Sequence, residues 1–227
     1  MSQMLSRAAW ARVLPFVLFM VILALRGNWP ASWQAVLDAK WVYGIGVLVV
    51  SGALYWFWPQ YRELQPDQRK MSRLDWALSI AVGLVVFELW INLTEPWMIL
   101  GSPTATFRPV NEDGSLQWGL ILFRWVGAAL MVPVMEELFW RSFLMRWVDN
   151  PDFEQVSPQT ASIKAIALST FAFTLAHTLW LGAIVAGLAY AWLYKRTGSL
   201  WAPVVAHAVT NGVLGIWVVV WGQWAFW

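Results

Sequence analysis

Seven times between residues 13 and 221 the chain passes through a long run dominated by apolar side chains: 13–25, 41–58, 74–93, 118–148, 163–180, 182–194 and 200–221. Crossing a bilayer takes about 20 such residues, or fewer where flanking groups snorkel. Inside lipid every backbone N–H and C=O must find a partner, and runs of this length can do so only as helices. The expected fold is therefore all-α, a polytopic transmembrane bundle of seven spans. An eighth appears if the over-long 118–148 run breaks at Pro133, where a helix kinks or ends. No internal repeat or soluble module interrupts the pattern, so residues 1–227 read as one integral-membrane domain.

Charge supports the same solvent. Only 12% of the residues are charged, against about a quarter in an ordinary soluble domain. The 20 tryptophans crowd the ends of the apolar runs, as at Trp41, Trp56 and Trp58, at Trp76 and Trp90, and at Trp221, Trp224 and Trp227. Indole prefers the membrane–water interface, so they read as an aromatic belt. The net charge of +2 is spread over short loops, which gives nucleic-acid binding no support. With no cysteine, disulfides, thiolate metal sites and a cysteine nucleophile are excluded. Arg7 and Arg12 ahead of the first run imitate a signal peptide, but Arg26-Gly27-Asn28-Trp29-Pro30 follows it without a small-residue cleavage site, and the run reads as a retained helix.

Basic residues in short loops set orientation. Arg7 and Arg12, then Arg62, Arg69, Lys70 and Arg73, then Arg146 and Lys164, then Lys195 and Arg196 all fall on one side of a seven-span chain. That side is expected to be cytoplasmic, with the amino terminus on it. The connection from Glu95 to Gln117 carries Glu95, Glu112 and Asp113 against Arg108 and suits the outer side.

Against this background the ionisable groups within the runs stand out. The fourth run holds Glu136-Glu137-Leu-Phe-Trp-Arg141, the fifth Phe173-Thr-Leu-Ala-His177, and the last His207-Ala-Val-Thr-Asn211; these are the two histidines of the chain. Ionisable side chains at membrane depth are costly and by default mark function. At about 1.5 Å per residue, Glu136, His177 and His207 lie roughly 18, 20 and 13 Å from the cytoplasmic ends of their helices. Three separate helices thus bring an acid or an imidazole to similar depth. Glu137 and Arg141 share a helix face at i,i+4 and can pair, while Glu136 points about 100° away and is free for another task. The alternative is that all three form one stabilising cluster. Glu88 and Arg124 read as structural groups or as the lining of a vestibule.

These residue types suit hydrolysis of an amide. A carboxylate in a low-dielectric cavity is a base suited to activating water. His177 would orient that water or carry its proton to the leaving amine. His207 and Asn211 would donate to the oxyanion of the tetrahedral intermediate. No serine stands beside either histidine in sequence, which argues against a serine nucleophile. One rival is a zinc site made of Glu136, His177 and His207, although the chain has no His-Glu-x-x-His pair. Others are a proton or ion path in a transporter, for which paired inverted halves are missing, and a scaffold whose polar groups join helices.

The series Glu-Glu-x-x-x-Arg, Phe-x-x-x-His and His-x-x-x-Asn, in this order on separate apolar helices, resembles the CAAX-protease and bacteriocin-processing family of glutamic intramembrane endopeptidases. That family includes the type II CAAX prenyl endopeptidases. The resemblance covers residues 118–227. It implies Glu136 as the base, His177 as its partner, His207 and Asn211 as the oxyanion hole, and Glu137, Arg141 and Phe173 as structural support. It also implies a helical membrane fold with a wet cavity open toward the cytosol, no cofactor or metal, and a protein or peptide substrate that can itself be membrane-anchored. The run from Trp201-Ala-Pro-Val-Val-Ala-His207 to Gly222-Gln223-Trp224-Ala-Phe-Trp227 is similar to bacterial members associated with exosortase systems. That likeness implies a bacterial inner membrane. Nothing in the sequence reads out a prenyl group, and nothing sets the oligomeric state.

Overall fold

The computed structural model describes residues 6–66, 70–101 and 107–227; Arg69, one of the loop cations counted above, lies outside them. Seven helices carry the fold: α1 (Arg7–Gly27), α2 (Ala39–Trp56), α3 (Arg73–Asn92), α4 (Trp118–Asp149), α5 (Ile163–Leu175), α6 (Trp180–Thr197) and α7 (Trp201–Trp221). Among the described residues the only strand-like pairing is an isolated bridge between Val110 and Leu116. The fold is an all-α bundle, as expected. Leu48, Leu84, Val85, Leu130, Phe171, Ile216 and Val220 stand exposed on its outside, the surface a bilayer would cover.

Among the described residues five helices (α1, α2, α3, α4 and α7) are long and apolar enough to cross a membrane. Two of the expected seven spans depart from that standard. Helix α5 has only 13 residues, and α6 has 18 but carries Tyr190, Tyr194, Lys195 and Arg196. The alternative break at Pro133, which would have added an eighth span, does not occur. Helix α4 instead passes through it by widening into π-helical turns over Gly127–Met131 and again over Leu138–Met145.

Local sequence explains several helix ends. Ser6 caps α1 by accepting from the Ala9 N–H at 3.1 Å, and Ser72 with Asp75 forms a reciprocal capping box on α3. Asp149 at the end of α4 accepts from the Ser162 N–H and hydroxyl, and Ser162 in turn caps α5. Gly198 and Gly222, with φ of 68° and 64°, end α6 and α7 in the left-handed region, which a residue without Cβ adopts freely. Pro15 inside α1 removes the N–H that would meet the Ala11 carbonyl. The Tyr61 hydroxyl, from the α2–α3 connection, supplies that bond at 2.7 Å.

Two faces are defined by contacts between helix ends. On the face where α1 begins, Arg12 binds Glu63 bidentately at 2.9 and 2.6 Å, and donates to Ser142 at 2.9 Å. Arg146 closes the group 3.8 Å from Glu63, with the Phe153 ring under both guanidinium groups. Lys195 donates to the Ala161 carbonyl and Trp201 to that of Leu64, so α5, α6, α7 and the α2–α3 connection meet there too. On the opposite face, Phe107 N–H bonds Trp227 O, and the segment before α4 packs over the α5–α6 turn through Leu100 N to Thr178 O and Trp180 Nε1 to Trp97 O. Arg12 and Arg146, counted above as loop charges, are in fact 1% and 7% exposed and share the one carboxylate of Glu63, which offsets one of their two charges.

The central packing is between α3 and α7. A Cβ on Gly83 would lie 2.4 Å from the Ala206 carbonyl oxygen, so only glycine permits this approach. Small residues at such contacts let membrane helices pack backbone to backbone. Thr210 donates to the Gly83 carbonyl at 2.8 Å, and this fixes the face of α7 that carries His207.

Candidate active site

The site begins with the wide turns of α4. Val132 N–H reaches back five residues to Gly127 O, and Pro133 has no N–H to give. The Ala128 carbonyl is therefore open, and the Asn211 side-chain amide fills it at 2.9 Å. This ties α7 to α4 about two helical turns ahead of the glutamates. Departures to π geometry often mark functional positions in helices.

Glu136 and Glu137 follow on different faces of α4, as their spacing requires. Glu137 is fully buried at 0% exposure, whereas Glu136 keeps 9% and lines a cavity of about 430 Å³. Glu136 Oε2 is enclosed without a hydrogen-bond partner, so its carboxylate is uncommitted on that side. Glu137 is fully engaged. Its Oε1 meets His207 Nδ1 at 2.9 Å, and Arg141 Nε approaches its Oε2 at 3.2 Å. The latter is a charge contact without hydrogen-bond alignment. Arg141 also donates to Gly187 O at 3.3 Å and lies over the rings of Phe173 and Tyr190. The i,i+4 pair read from the sequence is present, and it carries an addition. The same carboxylate orients a histidine 70 residues away.

His207 is stacked on Tyr190, ring centroids 5.0 Å apart, and the Tyr190 hydroxyl bonds Thr210 at 2.8 Å. With Nδ1 held by a carboxylate, Nε2 is the nitrogen left for chemistry. His177 departs from expectation, because it does not sit within a helix. Helix α5 stops at Leu175, and His177 falls in the turn before α6. Its i,i+4 relation to Phe173 survives in another form, since Nδ1 lies 2.8 Å from Phe173 O. A carbonyl oxygen only accepts, so Nδ1 carries the hydrogen and Nε2 of the neutral ring presents a lone pair. Phe173 and Trp90 flank the ring, with centroids at 4.3 and 5.7 Å.

Glu136, Phe173, His177, His207 and Asn211 all line the same cavity. Glu137 and Arg141 stand behind it. Asn211 is less free than expected, because one of its amide hydrogens is spent on Ala128, leaving the other and Oδ1. Arg124 lines the cavity, as does Arg26, which sequence reasoning passed over. Glu88 does not; it is exposed on α3 and accepts from Asn92 at 3.1 Å. Tyr190, Thr210 and Trp90 were also missed, because aromatic and hydroxyl residues in an apolar helix carry no local signal of what they touch. Among the described residues no three histidine, cysteine, aspartate or glutamate side chains gather as a metal-binding group.

The cavity extends from Phe16 and Tyr190 at mid-bundle to Gly27, Thr178 and Trp227. It therefore reaches the face on which α1, α5 and α7 end, opposite the Arg12–Glu63 cluster. A cytosolic opening and a cytoplasmic amino terminus, both expected from the sequence, are incompatible with this arrangement.

Residues 118–213 match the model of a protease family described as type II CAAX prenyl endopeptidase Rce1-like. This stretch is similar to that family. The match spans α4, α5, α6 and the part of α7 that carries His207 and Asn211, and so takes in Glu136, Glu137, Arg141, Phe173, His177, His207 and Asn211. The match is at the level of the family. No match was found among curated proteins or among solved structures. Helices long and apolar enough to cross a membrane, together with a stretch similar to this membrane-protease family, fit a multi-pass integral membrane protein.

Proposed function

We propose that the chain is a glutamic-type intramembrane endopeptidase in which Glu136 activates water. The observation that carries this reading is the pairing, within one cavity, of an uncommitted Glu136 carboxylate oxygen with a His177 ring whose Nε2 is open. Glu136 takes a proton from water, and the resulting hydroxide attacks the peptide carbonyl carbon. The oxyanion is held by His207 Nε2–H and the remaining Asn211 N–H. For Nε2 to donate while Nδ1 donates to Glu137, His207 must be the imidazolium, and the Glu137 carboxylate stabilises that charge. The C–N bond then breaks as the amine nitrogen takes the proton, handed on from Glu136 by way of His177 Nε2, leaving a carboxylic acid, which ionises in water, and an amine.

The whole of residues 1–227 works as a single membrane unit in this reading, and the Arg-rich face lies in the cytoplasm of a bacterial inner membrane. The cavity then faces outward, and a membrane-anchored protein or peptide enters from that side. Glu136→Gln and His177→Ala, purified with unchanged helical circular dichroism, are expected to lose at least about 99% of cleavage, the scale of a lost general base. Most of the activity persisting in either variant would overturn the assignment.

A further inference from the structure

The cavity that holds Glu136 has a second ionic feature at its outer end, which the chemistry above does not use. Arg26, in the last turn of α1, and Arg124, on α4, both line it. The ion pairs among the described residues join Arg12, Arg141, Arg146 and His207 to Glu63 and Glu137, and neither Arg26 nor Arg124 takes part in any of them. Arg124 Nε is enclosed yet has no hydrogen-bond acceptor, and the Tyr43 hydroxyl close by is likewise unpaired. The Arg124 guanidinium lies 4.4 Å over the Tyr43 ring, and that of Arg26 lies 5.2 Å over Phe107. The two cations are near enough to act on each other's charge. Aromatic faces hold a guanidinium in place, but they leave its in-plane N–H donors unsatisfied. Two like charges kept together with free donors match a planar anion, and Arg is the side chain best shaped to receive one bidentately.

The geometry points to Arg26 and Arg124 as a carboxylate-binding subsite that positions the peptide substrate across Glu136. The inference rests on the cavity being the peptide-binding site. Arg124 precedes Glu136 by 136 − 124 = 12 positions on α4, about 18 Å of helix axis. An extended peptide covers that distance in roughly five residues. The subsite thus holds a carboxylate about five residues from the bond cleaved, either an acidic side chain or a free chain terminus. A lipid phosphate reached by snorkelling is the competing occupant. The enclosure of Arg124 Nε and its place on the cavity wall favour the peptide.

Binding to the full chain carrying Glu136→Gln tests this without cleavage. The chain is placed in nanodiscs of neutral phosphatidylcholine and titrated with three labelled, acetylated hexapeptides of alanine and leucine. One ends in a free carboxylate, one in an amide, and one in an amide with aspartate as the last residue. At least one carboxylate-bearing peptide is expected to bind about tenfold or more tightly than the plain amide, the scale of a hydrogen bond to a charged group. Which of the two does so identifies the source of the carboxylate. The preference should shrink to within about twofold in Arg26→Gln with Arg124→Gln and persist in Arg124→Lys, which keeps the charge. Equal binding of all three peptides, binding by none, a preference that survives the double variant, or its loss on adding anionic phosphatidylglycerol would each overturn the subsite. Because the readout is affinity in a variant that does not cleave, wild-type protein without proteolysis would sink the catalytic proposal and leave this one standing.

Discussion

Glu137 Oε1 lies 2.9 Å from His207 Nδ1 while Arg141 Nε lies 3.2 Å from the other oxygen of the same carboxylate. One buried acid thus joins α4 to α7 and fixes which imidazole nitrogen faces the cavity. Glu137→Gln is expected to weaken cleavage through His207 and to lower stability at once. Breaking a buried pair from one side leaves an uncompensated cation, at a cost of about 3–5 kcal/mol. Thermal unfolding and turnover of the purified variant check both halves. Full activity at wild-type stability would show that the carboxylate neither orients His207 nor balances Arg141.

Asn211 has one amide hydrogen on Ala128 O, and its other is assigned to the oxyanion. Asn211→Ala should reduce kcat about 100-fold or more, the range for a lost oxyanion donor, with KM little changed. A change confined to KM would instead place the amide in substrate binding.

The Glu63 cluster carries a pH dependence. Burial alone would raise its carboxyl, but the charge and hydrogen bonds of Arg12, the Ser142 hydroxyl and the charge of Arg146 outweigh burial and hold it below the ordinary glutamate value. The folded state then binds fewer protons than the unfolded one, whose glutamate titrates near about 4.3. The cluster's contribution is fully present above that pH and is lost as pH falls through the lower folded value. Melting temperature should drop on acidification in the wild type. In Glu63→Gln the curve should start lower and be flatter on its acid limb; identical slopes would contradict the linkage.

The orientation is open to labelling, because the chain contains no cysteine. Glu112→Cys, on the cavity face, should react with a membrane-impermeant maleimide in intact cells. Gln159→Cys, on the Arg-rich face, should react only after lysis. The reverse pattern would put the cavity on the cytoplasmic side.

How much of this was legible before the structure follows from range. Apolar runs report on helices directly, and the i,i+4 pairing of Glu137 with Arg141 is local, so both were readable from spacing. The similar depth of Glu136, His177 and His207 pointed to a shared site, and all three line one cavity. What failed was whatever depends on distant partners. Periodicity could not show that Pro133 would be absorbed by a wide turn, because the compensating donor is Asn211 on another helix. Nor could it show that α5 would stop at Leu175, or that Arg12 would be buried against Glu63 rather than mark a loop. That the cavity and the amino terminus would fall on opposite faces was missed for the same reason, since it depends on which helix ends pack together.

The brevity of α5 has a further consequence for the surrounding lipid. Thirteen helical residues rise about 20 Å, some 10 Å less than a typical hydrocarbon core. Leu175, at its tip, is 64% exposed. Acyl chains beside that tip must shorten to match it or give way to the turn holding His177. A bilayer matched to that tip would be thinned there, bringing headgroups and water toward the turn that holds His177.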